Sequence, residues 1–432
     1  MKTVFFGERG YYIYLVKLAL NRAGYYKGIF DDIYDDNLRS SLLNFQKNQN
    51  ISQSDIVTPT VWQYLEPYLY GFTYHTIKQN DSIYKIAMEN NSSQKLIETA
   101  NPDIEINNLK IGEKIIVPYN FNLVPINIPY SSILVKYILY GLVARYPYIT
   151  LNSIGLSELK RPLYYTTMGT GKKEIFYNAS HHANEWITTP LVLLFLENYA
   201  IAYMNNEKIY GFNARDLFNE STLYTVPLVN PDGVDLVNNL FDKNSETYRS
   251  ALSISGDYPK IAFPEGWKAN IKGTDLNLNY PAMWEKAKET KYNLGYTSPA
   301  PRDFVGTAPL SATESKAVYD FTLKRNFSMT ISYHTQGNVI YWKFLDYNPD
   351  FSYEIAKKFG EESGYQVSET PIASGYAGYK DWFIMNYNLP GYTIEAGIGN
   401  NPLPLSQLPS MYRANEGIMA IGISPFIPIK KE

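Results

Sequence analysis

Three of the chain's four histidines fall in two short segments, Asn178-Ala-Ser-His-His-Ala-Asn-Glu-Trp186 and Ser332-Tyr-His-Thr335, and each segment follows a run of strand-forming residues. Ile175-Phe-Tyr177 and Ser328-Met-Thr-Ile-Ser-Tyr333 read as strands that deliver His182, Glu185 and His334 at or just past their ends. Tyr392-Thr-Ile394 reads as a third strand and delivers Glu395. In open α/β sheets, ligand sites lie beyond the carboxyl ends of the strands, so three strand ends bearing His, His and Glu are expected to converge. His182 and Glu185 form His-x-x-Glu. Two imidazoles and one carboxylate make a zinc site with three protein ligands and a fourth position left for water. His-x-x-Glu alone is common by chance; with His334 and Glu395 at other strand ends it becomes specific. His182, not His181, has the spacing to Glu185, so His181 reads as a structural residue at the strand end.

The bulk properties exclude several alternatives. At 432 residues the chain has room for two or three domains and a large core. A net charge of −3 gives no reason to expect a nucleic-acid partner. Cysteine is absent, which removes disulfides, thiolate ligands and a cysteine nucleophile. The N-terminal apolar run, Val4-Phe-Phe6, is too short for a signal peptide, and no stretch approaches the roughly 20 apolar residues of a membrane span. The expectation is a chain that does not enter membranes, either cytoplasmic or released during sporulation or lysis.

Along the chain the composition changes three times. Residues 1–68 show helical spacing at Val16, Ala19, Leu20 and Ala23 and again at Leu38, Leu42 and Phe45. Thr58-Pro59 is an N-cap with proline at the first helical position, ahead of Trp62 and Leu65. Residues 70–119 read as strand, helix, helix, strand. Asp81 or Ser82 caps the first helix and Ser92 or Ser93 the second; Lys114 to Val117 is a short strand closed by Pro118. His75 reads as a surface residue, because no second ligand stands at metal spacing. Residues 120–129 contain two prolines and read as a linker. From residue 130 to 430, a helix over Ser132–Tyr146 opens an alternation of strands and helices, an α/β layer architecture.

These segments carry resemblances. Gly24-Tyr-Tyr-Lys-Gly-Ile-Phe-Asp31, Leu43-Asn-Phe-Gln46 and Thr58-Pro-Thr-Val-Trp62 resemble the three-helix peptidoglycan-binding domain, with Asp32 and Asp35 where that family places loop glycines. Aspartate is expected there because it tolerates positive φ better than most residues. Tyr74-His-Thr-Ile-Lys-Gln-Asn-Asp-Ser-Ile-Tyr-Lys-Ile-Ala87, Asn101-Pro102 and Leu109-Lys-Ile-Gly-Glu-Lys-Ile-Ile-Val-Pro118 look like a LysM module, whose relatives bind N-acetylglucosamine chains. The third domain resembles the M14 zinc carboxypeptidases, which implies a mixed-sheet α/β/α fold and one Zn2+. By that resemblance His182, Glu185 and His334 are the ligands and Glu395 is the general base. Asn230-Pro-Asp-Gly233 and Asp275-Leu-Asn-Leu-Asn279 match two further landmarks. The family stabilises the developing oxyanion with an arginine after a tryptophan; here Trp267 is followed by Lys268, with Lys272 nearby, and the sequence does not choose between them. Asp232 or Asp275 is expected to accept from a ligand histidine.

One departure narrows the substrate. Where M14 carboxypeptidases carry Asn-Arg to clamp the substrate's C-terminal carboxylate, this chain has Asn277-Leu278. Leucine cannot hold a carboxylate, and the exchange is not conservative. Trp267-Lys-Ala-Asn-Ile-Lys-Gly-Thr-Asp-Leu-Asn277, Ser298-Pro-Ala-Pro-Arg-Asp303, Gly378-Tyr-Lys-Asp-Trp382 and Asn401-Pro-Leu-Pro-Leu-Ser406 resemble the γ-D-glutamyl-diamino acid endopeptidases of that family. The resemblance implies cleavage between D-glutamate and diaminopimelate or lysine in peptidoglycan stem peptides. Arg302 is then a candidate carboxylate partner, with Asn277 and either Tyr376 or Tyr379 as further substrate contacts. The alternatives are a conventional M14 carboxypeptidase acting on ordinary peptides and a non-catalytic protein that binds the cell wall.

Overall fold

The computed structural model describes residues 1–371 and 375–427. The end of the expected third domain, 428–430, and Ser374 lie outside the described residues. The chain forms two compact units: Met1–Pro129 with Ile133–Thr150, and Tyr130–Ser132 with Leu151 onward.

The first unit begins with three helices, α1 (Tyr11–Arg22), α2 (Asp36–Asn48) and α3 (Pro59–Tyr70). Their expected apolar faces are buried, including Val16, Leu20, Leu42, Phe45, Trp62 and Leu65. The Thr58 side chain caps α3 by accepting from Val61 N. Asp35 does the same for α2 with Leu38 N, at φ −94°. Neither Asp32 nor Asp35 has positive φ, so the aspartates serve here as hydrogen-bond acceptors and not as glycine substitutes. The expected β-α-α-β module follows as β1 (Phe72–Thr76), α4 (Ile83–Glu89), α5 (Gln94–Ala100) and β2 (Lys114–Pro118), with β1 and β2 antiparallel. Ser82 and Ser93 are the caps. His75 Nε2 lies 2.7 Å from Asp81 Oδ2, which also accepts from Lys78 N.

The expected linker is packed. Leu123, Val124 and Ile128 are buried, and Arg22 donates to Leu123 O at 2.7 Å. Helix α6 (Ser132–Arg145) joins this unit from Ile133 on. Its guanidinium at Arg145 donates to the carbonyls of Gly71, Tyr119 and Phe121, and Tyr137 Oη donates to Glu66. The physical reason is that α6 is apolar around most of its circumference, burying Leu134, Val135, Ile138, Leu139 and Leu142, so it cannot stand alone in solvent.

The second unit is built on an eight-stranded mixed sheet. Its strands are β3 (Ile149–Leu156), β4 (Pro162–Met168), β5 (Lys173–Ala179), β8 (Ser221–Val226), β9 (Phe327–His334), β10 (Val339–Tyr341), β11 (Gln366–Ser368) and β12 (Gly391–Glu395). A separate two-stranded hairpin, β6 (Lys208–Ile209) with β7 (Phe212–Asn213), lies between β5 and β8 in sequence. The spatial order of the large sheet is β11-β10-β12-β9-β5-β8-β4-β3. The four central strands, β12, β9, β5 and β8, run parallel.

Helices cover both faces. They are α7 (Thr188–Asn205), α8 (Ala214–Glu220), α9 (Pro231–Val237), α10 (Glu246–Gly256), α11 (Trp284–Asn293), α12 (Thr313–Leu323), α13 (Ser352–Ser363), α14 (Tyr379–Tyr387) and α15 (Leu408–Gly422). Successive side chains of β5 show the division. Phe176 packs with Phe321 of α12 and Tyr379 of α14, whereas Tyr177 packs with Phe195 of α7 and donates to Met419 O of α15. β9 is buried along its whole length, as a central parallel strand covered on both faces must be. No helix among the described residues is long and apolar enough to cross a membrane.

Asn101 joins the two halves of the small β-α-α-β module. Its amide donates to Ile97 O and Ile116 O and accepts from Ile116 N. Asn101→Ala leaves that strand's polar groups unpaired, at about 1–3 kcal/mol. The amide of Ile116 is therefore expected to exchange with solvent roughly 10–100-fold faster in the variant, read by hydrogen–deuterium exchange.

Candidate active site

Strand register assembles the site. β9 and β12 are parallel neighbours, and His334 pairs with Glu395, so both strands end together. β5 flanks β9 on the other side, with Ala179 opposite Tyr333, so the chain beyond Ala179 emerges at the same level. There Ser180 adopts φ +54°. Its amide donates to Thr188 Oγ1, and its hydroxyl lies 3.0 Å from Thr188 Oγ1 and 2.8 Å from Thr189 Oγ1. Thr188 in turn donates to Glu185 O. These buried hydroxyls shape a 3₁₀ turn over Ala183–Glu185 with His182 as its N-cap. A 3₁₀ turn has three residues per turn and so eclipses positions i and i+3, which places His182 and Glu185 on one side.

The three donor groups converge. His182 Nδ1 lies 3.0 Å from Glu185 Oε1, and His334 Nδ1 lies 3.0 Å from both His182 Nδ1 and Glu185 Oε2. One donor atom from each residue falls within 4.8 Å of the other two. Two imidazole nitrogens facing each other with a carboxylate between them leave room for at most one shared proton per contact. A divalent cation satisfies all three at once, and two nitrogens with one oxygen suit a borderline ion such as zinc.

The supporting shell is specific. His182 Nε2 bonds Asp275 Oδ1 at 2.9 Å, which fixes Nδ1 as the inward atom. Asp232 is occupied elsewhere, by Arg161 and by Leu159 N. Glu185 also accepts from Thr335 N and from Asn401 Nδ2. His181 is not among the three convergent donors; its Nε2 lies 2.9 Å from Tyr280 Oη. Asn230 shows why the Asn-Pro-Asp-Gly segment matters. Its amide donates to His181 O and Ala269 O, joining the histidine loop to the loop that carries Lys268.

Electrostatics separate the two acids. Burial opposes ionisation of Glu185, but His182 and Lys268 hold its carboxyl well below the ordinary value. For Glu395, burial and then the charge of Glu185 push the carboxyl up to about 8, against the opposing pull of Lys268 and His182. Glu395 has no hydrogen-bond donor among the described residues and lines a cavity of about 100 Å³ together with His182 and Lys268. Burial works against Asp275 as well, but the His182 contact and the Lys268 charge hold it low. A carboxylate fixed low beside the metal donors and a second one poised higher have the electrostatics of a ligand and a base.

The remaining expected residues divide. Lys268 Nζ stands 3.6 Å from Glu185 Oε1 and lines the cavity; Lys272 is exposed on the loop and does not, so of the two only Lys268 can face a reacting group. Asn277 and Leu278 both line the cavity, Asn277 while accepting from Tyr379 N. Leu278 is 7% exposed and packs with Trp284, Ala287, Val305 and Ala377. Three further expected residues stand off the cavity wall. Tyr379 is fully buried in the core, with its hydroxyl 2.9 Å from Thr322 Oγ1, because α14 turns that face to the sheet. Tyr376 is half-buried against the same core and does not line the cavity. Arg302 also stays off the cavity wall and bonds Asp303 instead. Sequence reasoning missed Lys291, Asp303, Tyr341, Lys380 and Asp381 on that wall. Asp303, Lys380 and Asp381 had a signal, as parts of the Ser298-Pro-Ala-Pro-Arg-Asp303 and Gly378-Tyr-Lys-Asp-Trp382 segments; Lys291 and Tyr341 had none.

Asp275→Ala removes the group that orients His182. Divalent-metal affinity is expected to fall about 10–100-fold, measured by competition with a chromophoric chelator.

Residues 135–416 match the zinc carboxypeptidase family, Peptidase M14; residues 75–118 match the LysM domain and residues 9–65 a peptidoglycan-binding domain. The chain is 41% identical over 278 residues to gamma-D-glutamyl-L-diamino acid endopeptidase 1 of Lysinibacillus sphaericus, covering 64% of this chain and 68% of that protein. It is 38% identical over 276 residues to the uncharacterized protein YqgT of Bacillus subtilis (strain 168), covering 63% and 72%. Among solved structures, thrombin activatable fibrinolysis inhibitor aligns with TM-score 0.53 at 20% identity, covering 68% of this chain and 73% of that one, a likeness of fold. With two imidazoles and a carboxylate converging beyond parallel strand ends, and a family match spanning most of its length, the chain belongs to the M14 zinc carboxypeptidase family.

Proposed function

We propose that the chain is a zinc-dependent hydrolase that cleaves the γ-D-glutamyl–diamino acid bond of peptidoglycan stem peptides. The observation that carries this reading is the cavity wall. It holds the base Glu395, the cation Lys268 and His182, one of the three convergent metal donors, yet the position that clamps a C-terminal carboxylate in carboxypeptidases is a packed leucine, Leu278. The likeness to an endopeptidase named for that bond and the peptidoglycan-binding and LysM modules support the same polymer. Tethering through those modules raises the effective concentration of stem peptide at the active site without altering the chemistry.

His182, Glu185 and His334 would hold one zinc ion, which when bound supplies Lewis acidity to water and to the scissile carbonyl. Asp275 keeps His182 in the tautomer that leaves Nδ1 free to bind it. Glu395 accepts the proton of the attacking water and passes it to the nitrogen of the diamino acid as the C–N bond breaks. Lys268 lies beside Glu185 and offers an ammonium to the oxygen on which negative charge develops. The products are a free γ-carboxylate on D-glutamate and a free amine on the diamino acid.

The carboxypeptidase alternative needs a cation where Leu278 stands, and predicts turnover of ordinary C-terminal reporter peptides. The purified protein with zinc is instead expected to convert a defined muropeptide into fragments whose masses mark cleavage between D-glutamate and the diamino acid. Intact muropeptide, with zinc shown to be bound, would refute the proposal. Glu395→Gln should lower kcat about 10²–10⁴-fold while wall binding persists, which separates catalysis from tethering. If the wild type is equally inert, the non-catalytic reading prevails.

Lys268→Met should lower kcat/KM about 10²–10³-fold. It also has a signature in pH. Lys268 favours the ionised form of Glu395, and so does a bound cation, so the acidic limb of kcat/KM should lie below the metal-free value of about 8. Removing the lysine charge should move that limb upward, as read from kcat/KM against pH.

A further inference from the structure

Leu278 is apolar, but the wall it belongs to is not. Lys291 lines the same cavity as Leu278, His182, Lys268 and Glu395. It reaches there from α11. Leu278 packs against Trp284 and Ala287 of that helix, and Lys291 follows Ala287 by four residues, one turn along the same face. Its ammonium sits 2.6 Å from Asp303 Oδ1, and the other oxygen of Asp303 takes Arg302 Nε at 2.6 Å. Two cations thus share one carboxylate, with the carboxylate of Asp275 near enough to act on both of them. Both cations hold Asp303 ionised against burial and the nearby charge of Asp275.

The other lysines of the wall face carboxylates or carbonyls of their own. Lys268 faces Glu185. Lys380 is paired with Asp381 and donates as well to Lys343 O, with its side chain 4% exposed. Lys291 has a single hydrogen-bond acceptor among the described residues, so it keeps N–H groups to spare.

We infer that Lys291 binds a free carboxylate of the substrate beside the scissile bond, and that Arg302 acts through Asp303 as a positioning residue that leaves the charge of Lys291 available. This rests on the stem-peptide reading above. A γ-linked D-glutamate keeps its α-carboxylate on one side of the bond, and the diamino acid brings a carboxylate on the other, so either could supply the group. A carboxylate meeting an ammonium in a partly dehydrated wall makes a short, charge-assisted hydrogen bond that a carboxamide cannot match.

The test uses the full-length zinc-loaded protein and three synthetic peptides. The parent is L-Ala-γ-D-Glu–diamino acid; the second carries the α-carboxamide of D-glutamate, and the third the α-carboxamide of the diamino acid. Amidation on one side is expected to lower kcat/KM about 10–100-fold, mainly through KM, and that side identifies the carboxylate. Lys291→Met should collapse the ratio between parent and amide to near unity, and Lys291→Arg should keep it. Arg302→Gln, at a side chain 44% exposed, should shrink the same ratio without unfolding the wall. A wild type indifferent to both amidations overturns the assignment whatever the variants do. So does a Lys291→Met variant that lowers all three substrates in proportion. Failure to cleave even the parent would overturn the stem-peptide reading and this assignment with it, an outcome distinct from equal cleavage of all three.

Discussion

The parallel pairing of β5, β9 and β12 is the constraint on which the site depends. Backbone hydrogen bonds set Glu395 opposite His334 and bring the end of β5 to the same level. A one-residue slip of a strand would turn its terminal side chain to the opposite face of the sheet. The register is protected by burial on both faces: β9 is covered along its entire length, and Phe176 and Tyr177 of β5 anchor to helices on opposite sides. Packing remote from the chemistry therefore decides whether two imidazoles and two carboxylates meet within a few ångströms.

Bringing so many ionisable groups into one buried place is electrostatically costly, and the surrounding residues distribute the charge. Asp275 answers His182, Lys268 answers Glu185, and Glu395 has no hydrogen-bond donor among the described residues. That asymmetry gives the site its division of labour. Where a carboxylate has cations and imidazoles around it, ionisation is held; where its nearest strong influences are burial and another carboxylate, proton affinity rises. Lys268 touches both sides of this balance, which is why its removal should show in the pH profile as well as in the rate.

The cavity wall around Leu278 is more polar than that residue alone suggests. Loss of a carboxylate clamp would ordinarily leave an apolar surface. Here α11 supplies Lys291 to that wall, and Arg302 reaches the cavity only by way of Asp303. Arg302, which looked from its position like a direct substrate contact, bonds Asp303, and Lys291, with no motif around it, lines the cavity.

Much of this was legible before any coordinates. The strand ends at or near His182, His334 and Glu395, the helix cap at Thr58, the caps at Asp81 or Ser82 and at Ser92 or Ser93, and the substitution at Leu278 are local statements, and local sequence encodes them through hydrogen-bonding chemistry and alternation of burial; the structure chose Ser82 and Ser93. The packing of α6 with the first unit was not legible, because an all-round apolar helix says that it must be buried and not against what. Tyr379 and Tyr376 were indistinguishable as tyrosines; the rotation of α14 put one in the core. The choices between Lys268 and Lys272, and between Asp275 and Asp232, were likewise beyond sequence. The chain by itself determined which chemical groups were present and which strands would carry them. Only the tertiary structure decided which charges face one another, because a Coulomb interaction depends on separation and burial, and residues far apart in sequence acquire both only when the chain packs.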